Sequence, residues 1–164
     1  MSANRNLEKA KRLRWGISMG EATKAFPILR TEGEFLILDA EEKPPLTRSR
    51  TTFRFVNGKL ALMSYTALCS GQEQLAECFD LYRAWNESLV SQYGQPASRD
   101  FSAPSLMMVS NQYFRSIPEF GRAQHKKQWV TDDTIIVLTH DGLAPTPTLS
   151  MISAYRPLLG QLER

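Results

Sequence analysis

Two histidines, two cysteines and a pair of adjacent aspartates carry most of the site-forming chemistry in this 164-residue chain. His140 closes the apolar run TIIVLTH just before Asp141-Gly142, a place where strand-end side chains gather into sites. Neither it nor His125 stands in an HExxH, HxH or triad-like setting, and a polar turn residue is the ordinary reading. Cys69 and Cys78 have no CxxC spacing and no neighbouring histidine cluster in sequence, which argues against a structural zinc site. The expectation for them is two ordinary buried or half-buried thiols, one ending a strand and one in a helix, with a disulfide as the alternative. Ser70, beside Cys69, has the hydroxyl of a nucleophile, but a helix-capping role already accounts for it. Asp132-Asp133 offers carboxylates to a cation and serves equally as the polar tip of a hairpin. No glycine-rich phosphate loop is present. The inventory assigns no catalytic residue, no metal and no cofactor, and the expectation is a protein that is not an enzyme.

Binding chemistry is better represented. Residues 1–14 hold Arg5, Lys9, Lys11, Arg12 and Arg14 against Glu8, so the chain's formal net charge of +3 is a basic tail on a nearly neutral body. Arg12 and Arg14, with Arg48, Arg50, Arg54, Lys59 and Tyr65 on neighbouring strands, form a candidate nucleic-acid surface. Cations track phosphates there, and an aromatic side chain stacks a base. The segment 95–126 mixes Pro, Ser and Gly with large side chains and is too aromatic for a simple linker. Within it Met107, Tyr113, Phe114, Arg115, Phe120 and Arg122 are of the types that anchor protein interfaces, and they are the candidate protein-binding residues.

The elements that must position these residues read as α+β. Thr51 to Tyr65 is a hairpin with Asn57-Gly58 at its tip, the pair that a two-residue type I′ turn demands. A regular ladder would pair Phe55 with Leu60 and Phe53 with Leu62 on one covered face. Arg50, Arg54, Lys59, Met63 and Tyr65 would then lie on the outer face. Residues 33–40 supply a strand before it. Ser18 and Glu21 form an S-x-x-E capping box that opens a short helix ended by Pro27. The same box recurs from Ser70 to Glu73 and opens a helix of about 23 residues running to Tyr93, roughly 35 Å long. Its apolar stripe, Leu75, Phe79, Tyr82, Trp85, Leu89 and Tyr93, is the natural cover for the hairpin. KQWVTDD, TIIVLTH and TLSMISAYR read as three further strands, and Leu158 to Arg164 as a final turn of helix.

With 42% hydrophobic and 23% charged residues, the chain has the composition of a globular domain. It is read as one compact domain, residues 1–164, with two α-β-β-β pseudo-repeats at 15–68 and 70–157. No apolar run reaches the roughly 18 residues of a membrane span. The N-terminus lacks the apolar stretch of a secretory signal, so the default location is cytoplasmic, or periplasmic for a processed mature chain.

The run Gly16-Ile17-Ser18-x-x-Glu21-Ala22 resembles the helix start of small bacterial envelope and inhibitor proteins. These are the SmpA/OmlA-type lipoprotein domains and the tandem β-lactamase-inhibitor-protein-like fold. Tyr93, Gly94 and Pro96, followed by a strand bearing Trp129, are similar to related bacterial domains. The resemblance implies a noncatalytic binding protein. The leading expectation is two α-β-β-β units forming antiparallel sheet with helices on one face, in a module that serves as inhibitor, immunity protein, antagonist or assembly factor of a bacterium or phage. A protein partner is the leading expectation, nucleic acid the second. A secretion-type chaperone, which would be a homodimer, is the third.

Overall fold

A computed structural model describes residues 12–25, 30–97, 125–142 and 147–158. Helix α1 (Met19–Ala25) comes first and is followed by four strands: β1 (Arg30–Glu32), β2 (Phe35–Glu41), β3 (Leu46–Val56) and β4 (Lys59–Cys69). The long helix α2 (Leu75–Tyr93) leads to β5 (His125–Val130), β6 (Thr134–Asp141) and β7 (Thr148–Tyr155). All seven strands lie in one antiparallel sheet of order β1-β2-β3-β4-β7-β6-β5. Two meanders therefore meet along β4 and β7, where Tyr65 stands opposite Met151. The short edge strand β1 was not legible as a separate strand, so the first meander has four strands instead of three.

Local chemistry explains most boundaries. The first capping box forms as read: Ser18 N donates to Glu21 Oε2 at 2.9 Å and Glu21 N to Ser18 Oγ at 3.1 Å. The second does not form. From Gly71 the chain makes a 3-10 turn over Gln72–Gln74, so α2 starts at Leu75 and the Ser70 hydroxyl has no partner among the described residues. The helix has 19 residues, about 28 Å, and not 23. It stops where Gly94 takes φ +85° and returns its N–H to Val90 O at 2.8 Å.

The hairpin turn is built as its sequence demands, with Asn57 at φ 50° and Gly58 at φ 73°. Beyond the turn the ladder departs from a regular one. Phe55 pairs with Leu60, but Arg54 pairs with Leu62, leaving Ala61 as an extra residue, and Phe53 faces Met63. This β-bulge reverses the phase of β4, because one inserted residue exchanges the faces of all that follow. Leu62 turns to the face away from the helices and packs with Val56, Ala61, Ile135, Val137 and Ile152. Met63 and Tyr65, expected on the outer face, are turned inward to the helix side.

Both described helices pack on that one face. Cys78, Tyr82, Trp85 and Leu89 recur at four- and three-residue steps on α2 and are buried against Leu36, Phe53, Tyr65, Leu138 and Met151. Tyr65 and Trp85 meet edge to face at 5.6 Å. Burial of each such large side chain stabilises the fold by about 1.5–3 kcal/mol. Before α1, residues 12–17 form a strap across the hairpin: Gly16 N donates to Leu60 O and Leu60 N to Ile17 O.

Candidate functional site

Three elements converge where β4 ends and α2 begins. Cys69 is the last residue of β4, anchored by its N–H to Pro147 O at 2.8 Å. Cys78 sits in the first turns of α2, on the buried stripe. The two sulfurs are joined as a disulfide with Cα atoms 6.1 Å apart, where two thiols were expected. The reason is geometric: the 3-10 turn folds the chain back so that the first buried position of α2 lands over the end of β4.

His140 comes to the same point from β6. It pairs with His125 of β5 across the ladder, the two rings 5.6 Å apart. Phe79 and Tyr82 of α2 lie over the pair: Phe79 is 4.8 Å from the His125 ring and 5.4 Å from that of His140. Tyr82 is 5.8 and 5.9 Å from the same two rings. His140 is only 2% exposed, and neither ring nitrogen has a hydrogen-bond partner among the described residues. Burial holds its pKa below the usual histidine value, and nearby His125 pushes the same way while Asp141 opposes. Burial likewise raises the Tyr82 phenol. The sulfurs of Cys69 and Cys78 and a ring nitrogen of His140 lie within 4.8 Å of one another, all on buried residues. Among the described residues this is the one group of His, Cys, Asp or Glu side chains whose donor atoms gather closely enough for a metal.

The sequence contained part of this cluster unread. A hairpin tip at Asp132-Asp133 sets His125 opposite His140, so two histidines 15 positions apart in sequence become neighbours through one turn. The expectation that no cysteine–histidine cluster accompanies Cys69 and Cys78 is corrected by the fold, which brings His140 to them from the second meander.

The candidate nucleic-acid residues do not form one surface. Tyr65 is fully buried on the helix face, where its hydroxyl donates to Glu42 Oε1 at 3.2 Å and burial raises its pKa. Arg50 is held by Asp39 through bonds of 2.6 and 3.0 Å, and Arg30 adds a third contact to the same carboxylate at 3.1 Å. Arg54 is 7% exposed, with its guanidinium over the Phe35 ring at 5.5 Å and Glu34 at 3.4 Å. Arg12, Arg14, Arg48 and Lys59 are exposed. The bulge at Ala61 and the cross-strand acids thus remove the aromatic and two of the cations from the proposed track. Met107, Tyr113, Phe114, Arg115, Phe120 and Arg122 lie outside the described residues.

A concavity opens between the strap and the last turns of α2. It is an open cleft of about 130 Å³ over a floor of Leu60, Met63, Ile136 and Met151, lined also by Trp15 and Tyr93 and by the polar Gln92, Thr134 and Ser153. Trp15 is fixed there by its indole N–H, which donates to Thr134 Oγ1 at 2.8 Å, and by stacking on Tyr155 at 5.9 Å. Tyr93, expected on the covered stripe of the long helix, is instead 39% exposed, the one exposed large hydrophobic side chain among the described residues.

Fold and sites together define a class: an α+β protein with a seven-stranded antiparallel sheet, its described helices on one face. No family model, curated protein or solved structure matches the chain. No helix among the described residues is long and apolar enough to cross a membrane.

Proposed function

We propose that the protein is a noncatalytic protein-binding module that takes an apolar side chain of its partner into the cleft between the strap and α2. The observation that carries the reading is the cleft itself: an apolar floor, with a fixed Trp15 and an exposed Tyr93 in its lining. Its volume is on the scale of one aromatic ring, and tryptophan and tyrosine are the side chains most enriched at binding hot spots. The run Gly16 to Ala22, which resembles the helix start of inhibitor-type domains, ties the strap to α1 and agrees with a binding role.

A photoreactive phenylalanine analogue placed at position 93, and separately at exposed Arg83 on the same helix, tests it in extracts of the source cell with and without nuclease. The expected result is a nuclease-resistant protein adduct at 93 that is missing at 83 and is lost in Trp15→Ala. Equal adducts at the two positions, or adducts that vanish with nuclease, overturn the reading, and the second outcome would favour nucleic acid.

A further inference from the structure

We infer that the Cys69–Cys78 disulfide is the oxidised form of a metal site, and that reduction converts Cys69, Cys78 and His140 into ligands for a zinc-type ion. The inference is independent of the binding cleft.

Two observations support it. The two sulfurs and a His140 ring nitrogen lie within 4.8 Å of one another at the junction of β4, α2 and β6. A tetrahedral zinc ion with bonds of about 2.0–2.3 Å needs its thiolate and imidazole donors about 3.5–4 Å apart; the His140 nitrogen already lies near that range, and the two sulfurs reach it by parting when their bond is reduced. The second observation is His140 itself. It is 2% exposed, yet both ring nitrogens lack a hydrogen-bond partner among the described residues. A buried imidazole left this way forfeits the hydrogen bonds it makes in water, at a cost that a structural histidine normally avoids. Coordination by one nitrogen gives the ring the partner that it lacks beside the disulfide.

The donor set selects the ion. Two thiolates and an imidazole are soft and borderline ligands, suited to zinc and unsuited to magnesium or calcium. The fourth position takes water. Phe79 and Tyr82 pack their rings against His140, and all three donor residues are buried.

The chemistry balances. Two equivalents of a small thiol reduce the disulfide to two cysteine thiols and leave as their own disulfide. One zinc ion then enters as the two thiols release two protons. In reverse, a disulfide oxidant takes two electrons from the bound thiolates, the Cys69–Cys78 bond forms and zinc departs, and the reduced oxidant takes up two protons from solvent and leaves as two thiols.

The test uses the full chain, oxidised or reduced by a phosphine under argon, titrated with cobalt(II) as an optical probe and then with zinc(II). The reduced chain should develop the sulfur-to-cobalt charge-transfer band and the visible bands of tetrahedral cobalt at one equivalent, and zinc should abolish both. The oxidised chain should show neither. His140→Gln should weaken binding roughly tenfold or more, and Cys78→Ser should remove the thiolate signature. Circular dichroism of each reduced protein separates loss of a ligand from loss of fold. A zinc-sensitive dye should register one zinc released for each disulfide re-formed. Equal binding by oxidised and reduced chains overturns the proposal. So does His140→Gln binding as tightly as wild type, or a folded reduced chain without a one-equivalent site.

Discussion

The indole N–H of Trp15 donates to Thr134 Oγ1 at 2.8 Å, a bond between residues 119 positions apart that pins the strap to the second meander. A tie of this length crosses from one half of the sheet to the other, so it bears on the stability of the whole.

Trp15→Phe keeps most of the packing on Tyr155 and loses the donor. It should cost about 0.5–1.5 kcal/mol. Trp15→Ala loses the stack as well, about 0.5–1.5 kcal/mol more, beyond the area it uncovers. Urea denaturation checks both: the midpoint should fall in that order with an unchanged slope. A double-mutant cycle with Thr134→Val should show coupling for Trp15→Phe, and additive losses would contradict the bond.

The carboxylate of Asp39 is held between Arg50 and Arg30, and hydrogen bonding to Arg50 is the main cause of its lowered pKa. A lowered folded-state value means the contribution is fully present above the unfolded value of about 3.9 and is lost as pH falls through the folded one. Because the Asp39 side chain is 44% exposed, solvent screening limits the gain, and Asp39→Asn should cost no more than about 1 kcal/mol at neutral pH. The gap between variant and wild type should narrow in high salt and close in acid. A gap that persists in acid would assign the loss to something other than charge.

His140 gives the opposite kind of pH signature. Its lowered pKa, set first by burial and then by His125, keeps the folded ring neutral where the unfolded chain already takes a proton. Stability should therefore decline as pH drops below about 6.5, the unfolded value, until the folded ring protonates too. His140→Phe keeps an aromatic ring and removes both unpartnered nitrogens. Its stability should be close to wild type at pH 7.5 and should fall less by pH 5, read from urea midpoints. Parallel declines would show that the slope arises elsewhere.

Ala61 is the surplus residue of the β3–β4 ladder, so its removal leaves Leu60 and Leu62 paired with Phe55 and Arg54 as they are now. Deleting Ala61 should give a folded protein that loses about 2 kcal/mol at most, by circular dichroism and denaturation. Deleting Ser64, which has a partner in the regular ladder, should put Tyr65 and Ala67 on the wrong face and abolish folding. If removal of Ala61 is the lethal change of the two, the bulge is misassigned.

That contrast marks what was legible in the chain. Asn57-Gly58, the Ser18–Glu21 box and the Tyr82-Trp85-Leu89 stripe are local signals with one physical solution each, and they yielded the α+β class and the side of the sheet on which the helices lie. The bulge leaves no such mark, because LALMSYTAL is apolar enough to serve either phase. Its effect was large: it moved Tyr65 from a candidate base-stacking surface into the core. The Cys69, Cys78 and His140 cluster was hidden for another reason. Its members come from three elements, and their meeting depends on β7 pairing with β4 across the two meanders, which only the tertiary arrangement decides.

The seam between β4 and β7 has a consequence for how the sheet comes into being. Residues 62–68 are central in space, yet their partners, residues 148–154, arrive about eighty positions later in the chain. Contacts of such long sequence separation slow folding, because the intervening chain must be closed before they repay it. During synthesis the far edge of β4 waits open, an unpaired and apolar strand in the middle of a half-made sheet. That interval is when the chain is most exposed to aggregation or to a folding helper.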